Sequence, residues 1–214
     1  MEYVFFDLDG TLTDSALGIT RSVKYALKKY GIIEEDQSKL NKFVGPPLKD
    51  SFMDLYGFGE EQAVEAIQVY REYYEVTGIK ENSVYFGVED MLKALKNAGK
   101  KLCVATSKPE LYAKQILEFF NLDGYFEFVG GASMDEKFVT KADIINYVAD
   151  SCNLSDKSKI IMVGDREHDI LGAKTFGVKS IGVLYGYGGL DELKEAGADF
   201  IANTPNDVVN IILK

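Results

Sequence analysis

The stretch YVFFDLDGTLTD, residues 3–14, decides how the rest of the chain is read. It opens with a continuous apolar run rather than an alternating one, the pattern of a strand covered on both faces. Asp7 and Asp9 follow at i and i+2, and Gly10 then breaks the run. Residues two apart in a strand point the same way, so both carboxylates can face one site at the C-terminal end of that strand. In open α/β sheets that edge is where ligands bind.

Runs of the same kind recur at 101–106 (KLCVAT), 159–164 (KIIMVG), 180–184 (SIGVL) and 198–202 (ADFIA). Helical patterns lie between them at 88–100, 109–122, 141–152 and 167–177, with Thr140 as a candidate N-cap and Gly99 and Gly177 as stops. Strand–helix alternation at this spacing predicts an α/β core with a doubly wound, Rossmann-like parallel sheet. Residues 15–82 break the alternation. They hold helical stretches at about 15–30, 47–56 and 60–77 and a VGPP turn at 44–47, and no convincing buried strand. The expected organisation is a core of residues 1–14 and 83–214 with an α-helical domain, 15–82, inserted after the first strand.

A second acidic cluster follows the 159–164 run: GDREHD, residues 164–169, supplies Asp165 and Asp169. Asp165 comes directly after a strand and Asp169 lies four residues on, one helical turn away. The same sheet edge then carries four carboxylates. Two ionised carboxylates 4 Å apart repel by about 4 kcal/mol at an effective dielectric near 20. One of them protonates unless something positive intervenes. A divalent cation that prefers oxygen is the simple remedy, and Mg²⁺ suits carboxylates together with a substrate phosphate. The plainer alternative is that these aspartates serve turns and helix caps only.

Bulk properties narrow the function classes. The 214 residues carry 24 Lys+Arg against 34 Asp+Glu, a formal charge of −10, which argues against a surface for nucleic acid polymers. The hydrophobic content, 46%, is that of a globular protein. The N-terminus has no basic, apolar leader, and no run approaches the roughly 18 apolar residues of a membrane span. Cys103 sits in an apolar run and reads as core, and the single histidine, His168, excludes a metal site built on several histidines. A soluble cytoplasmic protein without membrane contact is expected, as a monomer or a dimer.

Four motifs in order carry a resemblance to the haloacid dehalogenase-like hydrolases, a superfamily of aspartate-dependent phosphatases. DLDGTLTDS resembles the first, and LCVATS, ending in Thr106 with Ser107 beside it, the second. Lys141 in TKADIINYVA matches the third, and GDREHD, with Asp165 and Asp169, the fourth. The resemblance spans essentially the whole chain, and the inserted helices match the family's small helical cap. VGPPL at 44–48 resembles a cap turn of phosphoglycolate-phosphatase-like members, and GDREHD is similar to a 5′-nucleotidase-like branch.

The resemblance implies that Asp7 is the nucleophile and Asp9 the acid and base. Gly10 and Thr11 turn the chain and orient Asp9, and stand with Ser107 among the phosphate-binding residues. Thr106 and Lys141 bind the transferring phosphoryl group. Mg²⁺ is held by Asp7, Asp9 through its backbone carbonyl, and Asp165, with Asp169 in support. The implied activity is Mg²⁺-dependent hydrolysis of a small phosphorylated metabolite through an aspartyl-phosphate, phosphoglycolate being the family default. A nucleoside 5′-monophosphate, a sugar phosphate or pyrophosphate, or transfer to a second substrate as in a phosphomutase, stay open. A carboxylate at position 9 favours phosphoryl chemistry over dehalogenation. Kinase chemistry lacks the motif G-x-x-x-x-G-K-[ST]. A non-catalytic module of the same fold is the reading from another class.

Other residues receive plainer expectations. Lys108 either approaches the phosphate or merely precedes a helix, the latter being favoured, and His168 reads as a surface residue or a neighbour of the metal ligands rather than a ligand. Arg21 and Arg71, and Lys24, Lys28, Lys29, Lys42 and Lys49, read as solvated helix faces, and the aromatic stripe at 69–76 as helix packing. The glycines of YGYGGLDE, 185–192, read as a loop after a strand.

Overall fold

A computed structural model describes residues 1–133 and 140–214. The chain divides into two compact units, residues 1–13 with 84–214, and residues 14–83.

The first unit is built on a six-stranded sheet. Its strands are β1 (Tyr3–Phe6), β4 (Lys101–Pro109), β5 (Phe126–Ala132), β6 (Ile160–Gly164), β7 (Lys179–Val183) and β8 (Phe200–Ala202), in the order β5-β4-β1-β6-β7-β8. Every pairing in it is parallel. β1, the strand of the opening stretch, is central and buried along its whole length. The helices are α5 (Val88–Asn97), α6 (Glu110–Phe119), α7 (Lys141–Ser151), α8 (Glu167–Phe176), α9 (Leu190–Ala196) and α10 (Pro205–Leu213). One face of the sheet presents Phe5, Cys103, Ala105 and Met162 to Ile144, Ile145 and Val148 of α7 and to Ala173 and Phe176 of α8. Alternation along each strand sends Val4, Phe6, Leu102, Val104 and Val163 to the other face, also fully buried. Covered faces explain the continuous apolar runs.

Register decides what meets at the sheet edge. Phe6 pairs with Val104 on one side and Val163 on the other. Asp7 is therefore one residue beyond the last paired position of β1, Thr106 two residues beyond the partner on β4, and Asp165 two beyond the partner on β6. The Asp7 amide still donates to the Val163 carbonyl at 2.9 Å, so the strand's direction is held as it enters the site.

The second unit holds α1 (Ala16–Lys29), α2 (Gln37–Asn41), α3 (Leu48–Tyr56) and α4 (Glu60–Tyr74). The chain passes between the units in two short strands, β2 (Thr13–Asp14) and β3 (Ser83–Val84). Phe43, Phe52 and Phe58 cluster inside this unit, Phe43 and Phe52 edge-to-face at 5.0 Å. Tyr70 and Tyr74, from the aromatic stripe, are buried and stacked at 5.3 Å. Arg21 is exposed on its helix, as the solvated-face reading expects, and is ion-paired there with Glu81.

Four elements depart most clearly from the sequence expectation: β5, α2, and the helices α9 and α10, which lie where no helical pattern is predicted. The apolar pattern predicts no strand where β5 lies. β5 is an edge strand, largely half-buried, and its run FEFVGGA holds two glycines near its end that lower its strand signal. Those glycines serve packing: a Cβ on Gly130 would stand 2.4 Å from Cγ2 of Val148 on α7. The short α2 is also absent from the sequence expectation. It is nucleated by Asp36, whose carboxylate accepts from the Ser38 and Lys39 amides at 2.9 and 3.3 Å. Among the described residues no helix is long and apolar enough to cross a membrane.

Candidate active site

The turn after β1 builds the first wall. The Leu8 carbonyl accepts from the amides of Thr11, Leu12 and Thr13 at 3.3, 2.9 and 3.0 Å, folding the chain tightly back. Gly10 sits at φ +86°, and a Cβ there would stand 2.2 Å from Oδ2 of Asp165. The backbone can press against that carboxylate only because the side chain is hydrogen. The turn's other contribution is Thr11, whose hydroxyl donates to Asp165 Oδ1 at 3.2 Å.

Lys141 comes from the first position of α7. Thr140 caps that helix as expected: its Oγ1 accepts from the Asp143 amide at 3.2 Å, and Asp143 returns a bond to the Thr140 amide at 3.0 Å. Gly172 of α8 lets the start of α7 approach, since a Cβ there would stand 2.7 Å from the Lys141 Cβ. The Lys141 ammonium then lies 2.8 Å from Asp7 Oδ1 and 2.7 Å from Asp169 Oδ1. Its approach to Asp7 is an ion pair without the alignment of a hydrogen bond.

Asp7, Asp165 and Asp169 bring carboxylate oxygens within 4.8 Å of one another, and each residue is at most 3% exposed. Burial, and then the charge of Asp169, raise the Asp7 carboxyl above its usual range, although Lys141 opposes this. Asp165 is pushed well above that range by burial and by Asp169 and Asp7. For Lys141, burial works against the ammonium, but Asp169 and Asp7 outweigh it and hold the proton more firmly than usual. Three carboxylates against one ammonium leave a formal charge of −2 in a buried space. An oxygen-lined site with that deficit fits a hard divalent cation. Asp7, Asp165 and Asp169 are the side chains placed to hold one.

Asp7, Asp9, Thr106, Lys141, Asp165 and Asp169 are all buried at one sheet edge, and Thr106 lies near enough to Asp7 to oppose the rise of its carboxyl. The Thr11 hydroxyl is committed to Asp165, and Ser107 is half-buried with no side-chain bond to the cluster among the described residues. His168 is exposed. Arg166 uses its amide to donate to Asp169 Oδ2 at 3.1 Å and its Nε to donate to Glu192 at 2.8 Å.

Sequence reasoning misses two contributions. Lys108, read as approaching the phosphate or, by preference, as merely preceding a helix, is buried and donates from Nζ to Asp9 Oδ2 at 2.7 Å, a partner neither reading names. The YGYGG loop is more than a connection. Its Tyr187 amide donates to Asp165 Oδ2 at 2.9 Å, and a Cβ on Gly188 would stand 1.8 Å from the Asp165 carbonyl oxygen. The glycine spacing is the available signal, since repeated glycines after a strand mark close backbone approach.

A family model described as "Haloacid dehalogenase-like hydrolase" matches residues 4–183. A 5′-nucleotidase of Pseudomonas aeruginosa is 47% identical over 191 residues, 89% of this chain and 86% of that protein. Tyrosine-protein kinase PtkA of Mycobacterium tuberculosis is 38% identical over 208 residues, 97% of this chain and 68% of that protein. A phosphoglycolate phosphatase of Aquifex aeolicus is 31% identical over 221 aligned residues, 99% of this chain and 97% of that protein. Among solved structures, a predicted phosphatase from Clostridium acetobutylicum superposes with a TM-score of 0.96 at 53% identity, covering 99% of this chain and 98% of that one. The motifs, the sheet order and the match over most of the sequence agree: the chain belongs to the haloacid dehalogenase-like hydrolase family.

Proposed function

We propose that this protein is a Mg²⁺-dependent phosphomonoesterase that cleaves a small phosphorylated metabolite through an aspartyl-phosphate. The observation that carries the reading is the buried cluster of Asp7, Asp165 and Asp169 around Lys141, at the C-terminal end of the central strand. Asp7 is the nucleophile: a carboxylate oxygen attacks phosphorus as the ester oxygen departs. Asp9 gives its proton to that oxygen, so the product leaves as an alcohol. It then takes a proton from the water that attacks the aspartyl-phosphate, and inorganic phosphate is released with Asp7 restored. Lys141 and Thr106 neutralise and orient the phosphoryl oxygens, which is most of what such a transfer requires. Bound Mg²⁺ supplies further neutralisation of phosphoryl charge, and Asp7, the Asp9 carbonyl and Asp165 would hold it, with Asp169 beside them.

The helical unit acts as a cap that closes over bound substrate and selects the leaving group. Its support is the insertion point, a few residues beyond Asp9. Relatives named 5′-nucleotidase and phosphoglycolate phosphatase put nucleoside 5′-monophosphates and 2-phosphoglycolate first among substrates. Two free cysteines and the absence of a membrane-spanning helix among the described residues suit a reducing cytoplasm.

The test is phosphate release across a panel of phosphorylated metabolites, with Mg²⁺ and with EDTA. Mg²⁺-dependent release from one class supports the reading. No release from any ester, with phosphotransfer from ATP to a tyrosine peptide instead, would transfer this chain to the activity its mycobacterial relative is named for.

A further inference from the structure

Asp9 has two oxygens in different states. Oδ2 accepts from Lys108 Nζ at 2.7 Å, while Oδ1 is buried without a hydrogen-bond partner among the described residues. Both residues of the pair are at most 9% exposed. A buried ion pair is costly to assemble, and net stability alone is weak reason to keep one.

The pair repeats a spacing. Thr106 and Lys108 are two apart on β4, as Asp7 and Asp9 are two apart at the end of β1, and the two strands are parallel neighbours. Thr106 meets Asp7, and Lys108 meets Asp9. The β4–β5 ladder shifts register between Thr106 and Pro109, and the Lys108 amide bonds the Thr106 hydroxyl at 3.2 Å. On the far side a Cβ at Gly131 would stand 2.5 Å from the Lys108 carbonyl oxygen. The backbone that carries Lys108 is thus fixed from two directions.

We propose that Lys108 is a positioning residue: it holds one oxygen of Asp9 so that the other is presented to the departing oxygen of the substrate. The proposal rests on the phosphatase reading above. Lys108 acts through Asp9, so its effect on the first step, departure of the leaving group, scales with how much that group needs a proton. An alkyl alkoxide needs one, and p-nitrophenolate hardly does.

Lys108→Met, Asp9→Asn and the double variant are assayed on p-nitrophenyl phosphate and on the alkyl monoester that wild type cleaves fastest, with melting curves to confirm folding. K108M is expected to lower the single-turnover rate of alcohol release from the alkyl ester by roughly a hundredfold, and of p-nitrophenol release from the aryl ester by less than about tenfold, the range general-acid catalysis spans. KM for both is expected to stay within about threefold, and K108M is expected to cost nothing further in the D9N background. Equal losses on both esters, a KM rise that explains the loss, or full additivity with D9N would overturn the role and make Lys108 a phosphate-binding or purely structural residue. Where K108M alone does not fold, D9N against D9N/K108M decides the same question on the aryl ester. Wild type inert toward every ester fails the phosphatase reading itself; active wild type with an unaffected K108M fails only the positioning role.

Discussion

The two acidic motifs look alike in sequence and are bonded differently. Asp165 is tied at both oxygens, by the Thr11 hydroxyl and the Tyr187 amide, and Asp169 at both, by Lys141 and the Arg166 amide. Asp7 and Asp9 each retain a buried oxygen, Oδ1, with no aligned hydrogen bond, that of Asp7 meeting only the Lys141 ammonium as an ion pair at 2.8 Å. A carboxylate saturated with donors is a fixture. One with an oxygen to spare is available to attack or to exchange a proton. On the proposed mechanism the four aspartates divide into a working pair on the first strand and a holding pair after β6.

The sharpest way to break that division is at Asp7. Asp7→Asn leaves an isosteric side chain but removes the proposed nucleophile, and is expected to lower kcat by roughly a thousandfold or more while the protein still folds. Residual turnover near wild type would move the nucleophile elsewhere. Lys141 joins the two pairs, so Lys141→Met is expected to harm both chemistry and stability. It strands Asp7 and Asp169 without their cation and should cost about 3–5 kcal/mol in denaturant melts run with EDTA. Mg²⁺ is expected to restore part of that stability. A K141M protein as stable as wild type without metal would show that the carboxylates do not need compensation.

Metal removal and pH sharpen the comparison further. Asp165 is raised above the ordinary carboxyl range in the folded state. Folding therefore favours its protonated form: its contribution is fully present below the ordinary carboxyl value and is lost as pH rises through the raised one. In EDTA, the stability of wild type relative to Asp165→Asn is expected to fall as pH rises from the ordinary carboxyl range toward neutrality. Mg²⁺ at neutral pH is expected to reverse the sign, since saturation at a hundred times Kd adds about 2.7 kcal/mol to the protein that binds it. Parallel melting profiles for the two proteins, with and without metal, would mean that Asp165 holds no cation.

How much of this is legible in the sequence follows from which signals are local. Asp7, Asp9 and Asp165 follow directly on apolar runs, so a sheet edge rich in carboxylates can be read from spacing alone. Thr106 and Lys141 carry no such mark, and only the resemblance singles them out. Lys108 escapes because its partner lies 99 residues away and nothing in TSKPE reports a neighbour on another strand. The YGYGG loop reads as a connection for the same reason, since its donor and its close approach are both to Asp165. Among the strands, β5 is lost because an edge position and two glycines remove the continuous apolar run that betrays the buried ones.

The mildest test concerns Thr11, which the resemblance places with the phosphate-binding residues and whose hydroxyl points instead at Asp165. Thr11→Val keeps the shape at a fully buried position and removes one donor from a carboxylate that retains the Tyr187 amide. The loss is expected to be about 1 kcal/mol of stability, as for a typical buried hydrogen bond. Because the bond belongs to the holding pair, the cost in activity should appear as weaker Mg²⁺ affinity, with kcat at saturating Mg²⁺ within about threefold of wild type. Thr106→Val removes the hydroxyl beside Asp7 and is expected to do the reverse, lowering kcat at any metal concentration. If T11V lowers saturated kcat as far as T106V does, Thr11 contributes on the reacting side, and the boundary between the working and the holding aspartates has to be redrawn through the turn at Gly10.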